Sequence, residues 1–168
     1  SGAIVFAQLL NLFGFSSATG RQGNTEGLRY GLLTNRTSTP KQISQIINCF
    51  NQPQNKRGKI IKVIIGSRLV SEGVSFYNVQ QEFILTPWFN YSETDQAIAR
   101  GYRLGSHKEL LKTEDPKVEI AQLVAVPRKS KKHTPSTLLP DSAHRSIDLY
   151  MYEISEDKDI TIRAIMRI

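Results

Sequence analysis

Residues 60–65, Ile-Ile-Lys-Val-Ile-Ile, stopped by Gly66, constrain the fold more than any other stretch of the chain. A short run this rich in Ile and Val has the character of a buried strand. Apolar patches elsewhere repeat at alternating strand and helix spacing. Ile4, Val5, Leu9, Leu12 and Phe13 predict a helix over 3–13, and Leu28 to Leu33 predicts a strand. Thr37-Ser38-Thr39-Pro40 is a helix start, with hydroxyls to cap it and proline in the first turn, and Ile43, Ile46, Ile47 and Phe50 form the apolar face of that helix. Pro53 and Gly58 place a turn over 52–58. Residues 67–79 are expected as a long loop, 82–86 as a strand, and a helix capped by Asn90 or Ser92 should run to about Tyr102. A last strand fits 118–126. Strands alternating with helices predict an α/β fold with a parallel sheet flanked by helices.

Three segments depart from the alternation. Residues 16–27, SSATGRQGNTEG, are polar and without period, and are expected as a loop. Residues 127–145 mix three prolines with Arg128, Lys129, Lys131 and Lys132, and are expected as a basic, flexible linker. Residues 146–168 are expected as a helical extension with a break near Glu156-Asp157. The chain starts and ends inside its periodic pattern, so both ends are expected to be cuts, with 1–126 forming the main domain.

Twenty-two Lys and Arg against 15 Asp and Glu give a formal net charge of +7. That balance suggests a polyanionic partner, nucleic acid first, although a basic but passive surface has the same composition. Cys49 is the only cysteine, which excludes an internal disulfide and fits an intracellular setting. It lies among Ile46, Ile47 and Phe50 and reads as a core residue, not a nucleophile. Trp88 reads as a core or cleft anchor. No apolar run is long enough to span a bilayer, so no membrane is expected as a partner. His107, His133 and His144 lack ligand spacing, so no metal site is expected.

Two stretches carry candidate chemistry. If 96–103 is helical, Gln96, Arg100 and Arg103 stand at i, i+4 and i+7 on one face, and two guanidiniums there can reach one phosphate chain. A solvated charged stripe has the same spacing. The second stretch is Gly66 to Phe76, which comes after the carboxyl end of a strand, where ligands bind in open α/β sheets. An ordinary strand-to-loop turn would look alike.

Taken together, these residues resemble the C-terminal RecA-like motor domain of superfamily 2 helicases. Ser67 to Ser75 is similar to motif V, and Gln96 to Arg103 to motif VI, Q-x-x-G-R-x-x-R. Trp88, Asn90, Asp95 and Gln96 resemble the approach to motif VI in Swi/Snf-type remodellers, and Leu104-Gly105 resembles the end of that motif there. The nucleoside triphosphatases of large DNA viruses, including those of the poxvirus type, look nearer still. Their E-G-V-x-F, P-W-F-N and F-N-x-P-x-N resemble residues 72–76, 87–90 and 50–55, and Ser146-Ile147-Asp148 is similar to their tail.

The resemblance implies a helicase or translocase lobe working with ATP and Mg²⁺, with RNA or DNA as track. It makes Arg103 the arginine finger with Arg100 beside it, and Gln96 the coupling residue. It puts Gly73 and Ser75 near the nucleotide, and Ser67, Arg68 and Thr34, with the start of the 40–51 helix, near strand phosphates. Three departures stand out. Ala99 replaces the usual glycine of motif VI. Ser75 replaces the aspartate or asparagine of DEAD-box relatives, and Glu72 their arginine.

No G-x-x-x-x-G-K-[ST] and no D-E-x-H pattern is present. The resemblance therefore implies an N-terminal RecA-like partner domain that holds the phosphates and the metal, and a 168-residue chain inactive by itself. Two rival readings stay open: the ATPase of a viral transcription factor that remodels DNA–protein complexes without unwinding, and a non-enzymatic module that binds nucleic acid.

Overall fold

The computed structural model describes residues 2–19, 27–34, 38–67, 74–111, 117–126 and 146–166. They fall into two compact units, one drawn from 1–80 and 99–118, the other from 81–98 and 119–168.

The first unit is built on a parallel three-stranded ladder, β1 (Ser16–Ser17), β2 (Arg29–Leu33) and β3 (Val63–Gly66), in that spatial order. Helix α1 (Gly2–Leu12) packs Ala7 against Tyr30 and Ile65. Helix α2 (Pro40–Phe50) starts in a capping box: the Gln42 amide donates to Thr39 Oγ1 at 3.3 Å, and the Thr39 amide donates to Gln42 Oε1 at 2.8 Å. Its apolar face joins the main core, in which Leu33, Ile46, Ile60, Ile61 and Phe76 are buried.

Gly31, in the middle of β2, has a specific role there. A Cβ at that position would lie 2.4 Å from Ile46 Cγ2 and 2.8 Å from Ile64 Cδ1, so α2 approaches the strand only because the side chain is missing. Cys49 packs against the same core, and burial pushes its thiol pKa up, which fits a core residue and not a nucleophile.

The polar stretch after Phe15 is not wholly loop. Ser16 and Ser17 pair with Arg29 and Tyr30, and the Ala18 amide donates to Tyr30 O at 2.8 Å. An edge strand takes its register from the neighbouring backbone and needs no apolar alternation of its own. Residues 20–26 of the expected loop lie outside the described residues, as does the expected linker at 127–145.

In the second unit β4 (Gln81–Ile84) and β5 (Glu119–Gln122) form a parallel pair. The strands of the described residues thus form two ladders, not one sheet. Helix α3 (Tyr91–Gly101) comes after β4, and a short α4 (Lys108–Leu111), unforeseen from the sequence, precedes β5.

Helix α5 (Ile147–Met166) runs unbroken through Glu156-Asp157, which corrects the expected break. Neither residue is Gly or Pro, and Asp157 is exposed, so the helix hydrates its polar residues instead of stopping at them. Asp148 Oδ2 accepts from the Ala125 amide at 3.1 Å, and Arg163 pairs with Asp159 at 2.6 Å and with Asp95 at 3.8 Å. These contacts tie α5 to the segment after β5 and to α3. No helix among the described residues is long and apolar enough to cross a membrane.

Glu82 on β4 carries a buried Oε2 with no hydrogen-bond partner among the described residues, and burial pushes its carboxyl from 4.5 up to about 7. Between those values the folded chain holds a proton that the unfolded chain has released, so stability falls as pH rises through that window. Glu82→Gln should therefore melt higher than the parent at about pH 8 and converge with it near pH 4, read from thermal unfolding at both pH values.

Candidate functional site

Three pieces of the first unit meet around residues 74–79. The first is the end of α2 and the turn after it. Asn51, the C-cap of α2, donates from Nδ2 to Ser75 O at 2.9 Å and accepts on Oδ1 from the Tyr77 amide at 2.9 Å. Its carboxamide thus pairs with 75–77 as a neighbouring strand would. Asn55, at the end of the 3-10 turn Pro53–Asn55, is 4% exposed. It donates to Phe50 O and Ile61 O and accepts from the amides of Ile60 and Ile61, all at 2.8–3.0 Å. Phe50 and Phe76 stack edge to face, with centroids 5.7 Å apart.

The second piece is the end of α3. The Phe76 amide donates to Arg100 O at 2.9 Å, and Arg100 Nη1 donates to Val74 O at 3.4 Å. The helix stops at Gly101, so Arg103 is not on it, and the expected single helical face for Gln96, Arg100 and Arg103 is corrected. The reason is local. The carbonyl of Arg100 is taken by Phe76, and the Arg103 amide turns to Ser106 Oγ at 3.2 Å instead of to a carbonyl one turn back.

The third piece is the turn at 104–107. Gly105 has φ +81°, where any side chain is strained, and the Ser106 amide closes on Arg103 O at 2.9 Å. This turn delivers Arg103 Nη1 to Ser75 Oγ at 2.7 Å. Arg103 is exposed, and among the described residues no carboxylate pairs with it. One of its five N–H donors is used on a hydroxyl, so the fork remains suited to phosphate oxygens.

The remaining candidates lie elsewhere. Ser67 directly succeeds β3, with its amide on Leu33 O at 3.1 Å and its hydroxyl on the same carbonyl at 3.4 Å. Thr34 is 3% exposed, so in this structure it is covered instead of offered to a phosphate. The first turn of α2 is occupied by its own capping box. Gln96 is exposed on α3 within the second unit. Gly73 and Arg68 lie outside the described residues, and Trp88 is half-buried. The structure therefore brings together Arg100, Arg103 and Ser75, and adds Asn51, Asn55, Ser106 and His107; Asn51 and His107 take partners 24–28 residues away, while Asn55 and Ser106 use nearby backbone that side-chain periodicity does not register.

Parallel strand ladders flanked by helices give an α/β arrangement of the RecA-like kind. Residues 2–105 match the helicase conserved C-terminal domain, and the chain belongs to that family, as a superfamily 2 lobe of the large-DNA-virus type. It is 44% identical to "Putative helicase 087L" of Invertebrate iridescent virus 3, over 99% of this chain and 16% of that protein. Identity is 43% to "Putative helicase 009L" of Frog virus 3, over 100% of the chain and 16% of the relative. It is 32% to the "Termination factor NPH-I homolog" of African swine fever virus, over 58% and 14%. The chain thus spans about one sixth of the length of the first two relatives. No solved structure matches it at a significant level.

Proposed function

We propose that the chain is the second motor lobe of an ATP-dependent nucleic-acid helicase or translocase, supplying arginine fingers and part of the grip on the strand. ATP and Mg²⁺ are held mainly by an N-terminal RecA-like lobe of the same polypeptide, and this lobe completes the site. The observation that supports this reading best is the exposed Arg103 guanidinium, braced on Ser75 by a 2.7 Å hydrogen bond and paired with no carboxylate among the described residues. A γ-phosphoryl group in transfer spreads charge over its oxygens, and an inserted arginine stabilises that charge.

In this reading Arg103 is the finger, and Arg100 stands behind it, its guanidinium on Val74 O. Ser75 and Gly73 line the approach to the nucleotide, and Gln96 couples nucleotide state to the track. Ser67 and Arg68 meet strand phosphates, and Thr34 does so after a local opening. Residues 1–126 form the lobe proper, 127–145 connect it, and 146–168 extend it.

A second reading is favoured by the African swine fever virus relative, whose name makes it a termination factor homologue. There the same motor remodels a nucleic-acid–protein complex without separating strands. The two diverge in one experiment on the full-length protein: ATP turnover with single-stranded and duplex RNA or DNA, alongside displacement of an annealed strand. Stimulated turnover with displacement supports the helicase reading, and turnover without displacement the remodelling one. Steady ATP turnover by the 168-residue chain alone would overturn both.

A further inference from the structure

Ser106 and His107 are both buried, 3% and 7% exposed, directly beside an exposed arginine. Every polar atom of the two side chains is engaged. Ser106 Oγ lies 2.7 Å from Arg103 O and 3.2 Å from the Arg103 amide, so one hydroxyl grips both main-chain polar atoms of that residue. His107 Nδ1 is 2.8 Å from the same Oγ, and Nε2 is 2.7 Å from Val79 O. The Ser106 carbonyl accepts from the Asn78 amide at 3.0 Å. The Tyr102 ring lies 6.3 Å from the imidazole.

The chemistry orders these contacts. Val79 O can only accept, so Nε2 carries a proton. Ser106 has a single hydroxyl proton; donated to Nδ1, it leaves Oγ accepting from the Arg103 amide, so Oγ joins the ring to the Arg103 backbone. The route is thus continuous: Val79 main chain, His107 ring, Ser106 hydroxyl, Arg103 main chain. Val79 lies four residues from Ser75, on which the Arg103 guanidinium itself rests. The segment that receives the side chain also fixes its backbone.

We propose that Ser106 and His107 are positioning residues for the Arg103 finger: a latch that sets where the guanidinium stands relative to the 74–79 segment and touches no substrate. The inference rests on the arginine-finger reading above. A misplacement of about 1 Å can cost on the order of 10²-fold in rate even when it arises away from the chemistry.

The test uses the full-length protein and its nucleic-acid-stimulated ATP turnover. His107→Ala should lower kcat on the order of 10²-fold and leave KM for ATP nearly unchanged. His107→Gln keeps an N–H donor for Val79 O and should recover most of the rate. Ser106→Ala probes the same latch from its other side should the histidine variant fold poorly. Binding of ADP with aluminium fluoride, a mimic of the transferring phosphoryl group, should weaken in step with kcat, while binding of unreacted ATP holds. In an Arg103→Ala background, His107→Ala should cost nothing further.

Full activity of both His107→Ala and Ser106→Ala, beside an inactive Arg103→Ala, overturns the latch and leaves the finger standing. So does a loss that adds fully to that of Arg103→Ala, or that weakens ATP and the mimic alike, since a general structural defect behaves in that way. An active Arg103→Ala removes the finger reading itself, and the latch with it.

Discussion

Arg103→Ala in the full-length protein is expected to reduce ATP turnover by about 10³-fold or more, the scale associated with an arginine finger. ATP affinity should change little, because in the proposed role the guanidinium meets charge that develops during transfer more than charge already present in the ground state. The structure sharpens this expectation in two ways. Arg103 is exposed and rests on a hydroxyl, so its removal leaves no buried charge and no unmatched carboxylate among the described residues. The loss should therefore be in catalysis and not in folding. Arg103→Lys should rescue poorly, since an ammonium keeps the charge but cannot present a planar fork from the same backbone position. Single-turnover rates beside equilibrium ATP binding separate the two terms. A variant that loses ATP binding and turnover equally would remove Arg103 from the transition state.

The largest expected effect on stability is at Asn55. Its carboxamide satisfies four backbone groups, two carbonyls and two amides, at 2.8–3.0 Å, three of these bonds being buried and the one to Phe50 O partly so. Asn55→Ala strands all four, and with each unsatisfied buried group costing about 1–3 kcal/mol, a total loss of about 3 kcal/mol or more is expected. Asn55→Asp is the informative control. It keeps acceptors for the Ile60 and Ile61 amides but turns an anionic oxygen towards Phe50 O and Ile61 O, so it too should destabilise. Urea denaturation at neutral pH measures both. A change within about 0.5 kcal/mol for the alanine variant, usual for a plain surface substitution, would contradict the geometry.

Much of the frame was readable from residue order. The extent of α1, the apolar face and proline-led start of α2, and β2 to β5 lie close to where periodicity and turn chemistry put them, but α1 packs through Ala3, Ala7 and Leu10, while Val5, Leu9, Leu12 and Phe13 of its expected face are exposed. The capping residue resolved to Thr39, with Gln42 three positions on. Legibility ended where a partner distant in sequence decides. Ser16 and Ser17 become a strand through β2, and α3 ends before Arg103, where the Phe76 amide takes the Arg100 carbonyl that a further turn would have used. Helix spacing put Arg100 and Arg103 on one face. The structure keeps both near 74–79, but by a helix end and a turn and not by one surface.

The run Phe50 to Asn55 was recognisable only as a family pattern. Its physical content is two asparagines whose amides act as short stretches of backbone, one for 75–77 and one for 60–61. His107 gave no signal at all, because its meaning lies in a carbonyl 28 residues earlier.

The main-chain bonds from Phe76 to Arg100 and from Asn78 to Ser106 carry a mechanical consequence. Peptide groups make them, so the two bonds themselves need no particular side chain at Phe76, Asn78, Arg100 or Ser106. Residues 76–78 are therefore joined through the main chain both to the last turn of α3 and to the turn that carries Arg103, and the Ser106 and His107 side chains adjust the guanidinium within that frame.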